Sequence, residues 1–114
     1  MVDVEPVALA QGQLVIVTLP SEIDMANVDG IGKQLAAAFT PGVRAVIADM
    51  TATTFCDTLG ISMLVRACRQ AAAHGGQLRL LMPCPRVLKV MDVLGVDAVL
   101  PIYHSLEKAL ADVG

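Results

Sequence analysis

Apolar residues recur along this chain in two alternating rhythms. Residues 13–19 (QLVIVTL) are β-branched and apolar between Gly12 and Pro20, which predicts a strand. Residues 7–10, ahead of a Gln11-Gly12 turn, are placed to pair with it as a hairpin. Val28, Ile31, Leu35 and Ala38/Phe39 then return at helical spacing until Pro41-Gly42. Residues 43–49 (VRAVIAD) form a second strand, apolar enough to predict cover on both faces, as in a parallel sheet. Ile61, Leu64, Val65, Cys68 and Ala72 mark a helix stopped by Gly75-Gly76, and residues 77–82 form a third strand. Val87, Val90, Met91 and Leu94 give a short helix closed by Gly95, and residues 98–102 a short last strand. Ser105 caps a final helix with Glu107 in its first turn and Leu106, Ala109 and Leu110 facing inward.

From residue 13 onward strand and helix alternate, which predicts an α/β fold. The expected form is one domain over residues 1–114, with a mixed, mostly parallel sheet of about four to five strands and about four helices. Sites in such sheets gather where strands end and helices begin. Here those loops are residues 20–26, 50–60 and 82–86.

Composition narrows the function. The apolar share is 55% against 17% charged, ample for one core, yet the aromatics are only Phe39, Phe55 and Tyr103. The net charge is −3 with no Lys/Arg cluster and few rings for stacking, so nucleic acid is not an expected partner. No apolar run approaches the roughly 18 residues of a spanning helix, which argues against a membrane partner. The first residues carry acids where a signal peptide carries positive charge, so the expected location is cytoplasmic. Cys56, Cys68 and Cys84 form no C-x-x-C pair, so neither a disulfide framework nor a metal site is expected, and nothing calls for a cofactor.

The segment richest in chemistry is residues 51–60, TATTFCDTLG. Asp57 stands where a helix N-cap belongs and Thr58 would be the first helical residue. A hydroxyl there sits beside unpaired N–H groups and the positive end of the helix dipole, so a phosphate is tolerated locally. It would add roughly −1.5 to −2 charge to the surface without unfolding the domain. Taken alone, Asp-Thr before an apolar helix is also an ordinary capping pair. A neighbouring loop, Ser21-Glu22-Ile23-Asp24, puts another carboxylate on the same end of the sheet.

Together these segments resemble the STAS family, and in particular its anti-sigma factor antagonists. Ser21-Glu22-Ile23-Asp24 is similar to the family's first turn motif, with Ser21 where glycine is usual. Residues 55–61 (FCDTLGI) match the helix-opening motif, residues 75–80 the glycine turn and strand, and residues 87–95 and 105–110 the later helices. The resemblance covers essentially the whole chain. It implies an antagonist that binds an anti-sigma factor, often a serine kinase, and so frees a sigma factor for transcription. Phosphorylation by that kinase then ends the binding and a phosphatase restores it. Carried over, Thr58 matches the phosphoacceptor, Asp57 the adjoining acid and Asp24 the acid of the neighbouring loop. The acceptor is Thr where most switching members carry Ser, and Leu59 follows where Ser or Thr is usual. Met25, Leu59, Gly60, Ser62 and Met63 would form the partner-binding surface. Core filling is the competing placement for the two methionines. The implied state is a monomer or weak dimer.

Catalysis by the chain itself is not expected. It lacks G-x-S-x-G, Walker A and H-E-x-x-H patterns, and Gly30-Ile31-Gly32-Lys33 falls inside a helical stripe without a preceding strand. His74 and His104 border a glycine turn and a cap, which are structural or exposed positions rather than catalytic ones. Two other classes fit: a STAS interaction subunit of an ABC-type lipid transporter ATPase, without phosphoswitching, and a thiol enzyme or sensor using Cys56 beside a helix start.

Overall fold

A computed structural model describes the backbone of residues 3–9 and 12–111, and the side chains of residues 13–111. Strands β1 (Asp3–Leu9) and β2 (Gly12–Thr18) pair antiparallel, from Asp3 against Thr18 to Leu9 against Gly12. The hairpin is thus longer than residues 7–10 suggest, and Ala10, the end of that expected strand, and Gln11, of the expected turn, lie outside the described residues. After β3 (Glu22–Ile23) come α1 (Val28–Ala37), β4 (Val43–Asp49), β5 (Phe55–Cys56), α2 (Thr58–Ala73) and β6 (Gln77–Leu81). The described chain closes with α3 (Pro85–Leu94), β7 (Ile102–Tyr103) and α4 (Leu106–Leu110).

Five strands form the main sheet in the order β1-β2-β4-β6-β7, parallel throughout except at the β1 edge. The near-continuous apolar strands reflect burial on both faces. Val15, Val17, Val46, Ala48, Leu78 and Leu80 point to one side, against Val28, Ile31 and Leu35 of α1, Ile61 and Leu64 of α2, and Val87 and Met91 of α3. Leu14, Ile16, Ala45, Ile47 and Leu81 point to the other, where Ala109 of α4 packs. Each fully buried aliphatic side chain is worth about 1.5–3 kcal/mol in removal from water, so this double face supplies the main driving force.

Three sequence expectations need correction. In α3, Val87 and Met91 are buried but Val90 and Leu94 are exposed, because the short helix presents only a narrow stripe to the sheet. The last strand is two residues long, not the expected 98–102. The N–H groups of Val99 and Leu100 both bond back to the Val96 carbonyl, forming a turn, and Pro101 contributes only its carbonyl, to Leu80 N–H at 2.9 Å. Ser105 does cap α4, accepting from Lys108 N–H at 3.2 Å, and Ala109 is buried, but Leu106 in its first turn faces solvent.

Candidate functional site

Two strand-to-helix connections, residues 19–27 and 50–57, are zipped together at the carboxyl end of the sheet. Their central pieces, β3 and β5, pair in parallel, Glu22 opposite Phe55 and Ile23 opposite Cys56. Thr54 N–H donates to the Ser21 carbonyl at 2.8 Å and Asp57 N–H to the Ile23 carbonyl at 3.1 Å. The buried Thr53 hydroxyl donates to the Pro20 carbonyl at 2.7 Å, satisfying a polar group that would otherwise cost stability. Asn27 completes the assembly: its amide donates to the Glu22 carbonyl at 2.8 Å while its side-chain oxygen accepts from Asp24 N–H at 3.0 Å. Neither Thr53 nor Asn27 stands out in the sequence, because their partners are backbone carbonyls and N–H groups supplied by folding.

The zipped loops set the start of α2. Asp57 has an extended backbone and its side chain accepts from Gly60 N–H at 2.8 Å, while its carbonyl accepts from Ile61 N–H at 3.0 Å. The N–H groups of Thr58 and Leu59 are left without intrahelical acceptors, the ordinary condition of a first turn. Thr58 is the first helical residue and exposed, and among the described residues its hydroxyl has no hydrogen-bond partner. Asp24 is half-buried and turned toward its own loop, accepting from Ala26 N–H at 2.9 Å.

Gly60 has a steric reason to be glycine. A Cβ there would lie 2.7 Å from Cys56 Sγ and 2.8 Å from Ile23 Cγ2, so any side chain would push α2 off the β3–β5 ribbon. That closeness buries Gly60, removing it from the expected contact surface. Met63 is removed as well: it is 4% exposed and packs toward α1, where a Cβ on Gly32 would come within 3.2 Å of its Cγ. Met25 (77% exposed), Leu59 (48%) and Ser62 remain open to solvent. They are joined by Phe55, also 48% exposed. The two-residue strand β5 turns Cys56 in and therefore Phe55 out, an alternation too short to be read as periodicity.

The rim is acidic. Glu22, Asp24 and Asp57 surround the junction, while residues 19–32 and 50–65 contain neither Lys nor Arg. Cys56 is buried, and loss of solvation, with a smaller contribution from the Asp57 charge, pushes its thiol up to about 12. A helix start lowers a thiol pKa only where the sulfur reaches the dipole and water. Here it points into the core, which counts against the Cys56 thiol chemistry that the sequence allows. Among the described residues there is no cluster of metal-binding side chains, and no helix is long and apolar enough to cross a membrane.

Exposed hydroxyl, apolar and acidic side chains thus gather at the capped start of α2, at the carboxyl end of a mostly parallel α/β sheet. The chain belongs to the STAS domain family, whose model matches residues 5–109. It is 26% identical over 98 residues to BtrV of Bordetella bronchiseptica, named as an anti-sigma factor antagonist, covering 86% of this chain and 84% of that protein. It is 28% identical over 102 residues to Rv2638 of Mycobacterium tuberculosis, named as an anti-anti-sigma factor, covering 87% and 68% respectively. The crystal structure of an anti-sigma factor antagonist from Mycobacterium paratuberculosis superposes with a TM-score of 0.80 at 19% identity, over 99% of this chain and 94% of that one.

Proposed function

We propose that this protein is an anti-sigma factor antagonist, docking an anti-sigma factor on the surface around the start of α2 and switched by phosphorylation of Thr58. The observation that carries the reading is the exposed Thr58 hydroxyl at a capped helix start, without a hydrogen-bond partner among the described residues and flanked by the exposed apolar side chains of Leu59, Phe55 and Met25. The names of the relatives support the same partner class.

The physical logic is a change of surface charge on a fixed frame. The Asp57 cap, the β3–β5 ribbon and the buried Gly60 hold the helix start whether or not Thr58 is modified. The flanking segments, residues 19–32 and 50–65, supply no Lys or Arg to pair with a phosphate there. Such a phosphate would add to the negative charge that Glu22, Asp24 and Asp57 already give this rim. Like charges about 5 Å apart repel by roughly 1–3 kcal/mol between water-like and surface-like dielectrics. With about 1.4 kcal/mol per tenfold in affinity, an acidic or apolar partner face would be released. The kinase supplies ATP, metal and base, and Thr58 is the substrate.

Incubation with the cognate anti-sigma kinase and ATP, followed by peptide mass spectrometry, tests the acceptor. Modification of Thr58, abolished in Thr58→Ala, is expected. Phosphate on Ser62 or Thr54 instead would refute the assignment.

A further inference from the structure

A cleft of about 370 Å³ opens between the later turns of α1 and α2, above β6. One face of each helix lines it: Gly32, Ala36 and Phe39 on or just past α1, and Ala67, Ala71 and His74 on or just past α2. Leu35 and Leu78 close its floor. Both belong to the core layer that these two helices cover, so the whole cleft lies on one side of the sheet.

The sequence itself leaves this space open. The helices touch where Met63 lies over Gly32, at which a Cβ would come within 3.2 Å of Met63 Cγ. One turn further on, the residues lining the gap are Ala36, Ala67 and Ala71, whose methyl groups do not fill it. Phe39 forms an end wall rather than a plug, because its ring is seated on Gly76, where a Cβ would lie 2.8 Å from Cε1. Protein interiors normally close-pack, and apolar atoms that face a gap forgo dispersion contacts. A ligand that entered would restore them.

The rim is polar but uncharged. Gln70 and His74 stand four residues apart on α2, both exposed, and among the described residues neither side chain has a hydrogen-bond partner. No carboxylate, amine or guanidinium lines the cleft. Mostly apolar walls with a few polar groups on one edge, at this volume, are the makeup of a small-molecule site.

We propose that this cleft binds a small neutral aromatic molecule with one hydroxyl. Its ring system enters between Ala36 and Ala71 against Phe39, and its hydroxyl meets Gln70 and His74. A flat body suits a gap walled by methyl groups, and the Phe39 ring offers it an aromatic neighbour. Carboxamide and neutral imidazole can each donate and accept, as a hydroxyl does. The site lies at the far end of α2 from Thr58 and does not rest on the phosphoswitch.

2-Naphthol, with naphthalene as the counterpart that lacks the hydroxyl, tests the assignment by NMR titration of the whole chain. Saturable shifts of the Leu35, Ala71 and Leu78 methyl groups are expected, with naphthalene several-fold weaker. Gln70→Ala combined with His74→Ala should lower 2-naphthol to the affinity of naphthalene and leave naphthalene unchanged. Both residues are exposed, so that variant keeps the fold. Ala67→Leu and, from the facing helix, Ala36→Leu fill the cleft and should abolish binding of both compounds, with thermal melts showing that each variant is folded. Thr58→Glu should leave both affinities unchanged, which separates this site from the docking surface. Equal affinities for the two compounds, shifts mapping elsewhere, binding that survives filling in folded protein, or a 2-naphthol affinity untouched by the double change would overturn it.

Discussion

The Asp57 carboxylate accepts the Gly60 N–H at 2.8 Å, so one acid both ends the β5 loop and begins the helix that presents Thr58. Removing it should have a defined cost. Asp57→Ala is expected to destabilise the domain by about 1 kcal/mol through the lost cap, with Asp57→Asn recovering most of it. Denaturant titration of the three proteins measures the difference. An unchanged midpoint for Asp57→Ala would remove the cap from the account.

Gly60→Ala should be worse than the propensity of alanine for helix suggests. The added methyl must displace Cys56 Sγ or Ile23 Cγ2, and overpacking of this kind costs about 1–3 kcal/mol. Combining it with Cys56→Ala removes one of the two obstructing atoms and should restore part of the loss. Additivity of the two changes, measured as a double-mutant cycle, would show that the sulfur is not the obstruction.

Met63 and Leu59 are four residues apart in sequence and opposite in role. Met63→Ala should lose about 2–5 kcal/mol of stability, as buried large-to-small changes do. Leu59→Ala should change stability by less than about 0.5 kcal/mol while weakening partner binding. Thermal melts paired with calorimetric titration of the anti-sigma factor separate the two effects. A reversal of the pattern would place the docking surface elsewhere.

That contrast shows where sequence reasoning reached its limit. The strands β2, β4 and β6 and the start of α2 are legible because each depends on local signals: unbroken apolar runs, and an acid before a helical stripe. Met63 is not, because its burial depends on room left by Gly32 on another helix. Phe55 and Asn27 are hidden for a related reason. The β3–β5 ribbon that orients both is held by backbone bonds between loops thirty-odd residues apart, with no side-chain period to betray it. The α3 stripe reads two residues too wide, since spacing reports a face but not how much of it the sheet can cover.

The thiols carry a pH signature. Burial raises Cys56 from 9.0 to about 12 and Cys68 from 9.0 to about 11. A raised pKa means the folded state keeps its proton where the unfolded state loses it. The contribution is therefore fully present below about pH 9 and is lost as pH rises toward the folded values. Melting temperature should fall between pH 9 and 11, less steeply in Cys56→Ala. Native Cys56 should also resist iodoacetamide at neutral pH and react once unfolded. Fast alkylation of the folded protein at Cys56 would revive the thiol reading.

The most direct test is calorimetric titration of the cognate anti-sigma factor with the Thr58→Ala and Thr58→Glu proteins, both first shown to be folded. The account predicts that the alanine form binds as tightly as the unmodified protein and the glutamate form at least tenfold more weakly. Equal affinities would mean that added charge at residue 58 does not reach the contact, and the switch would be contradicted.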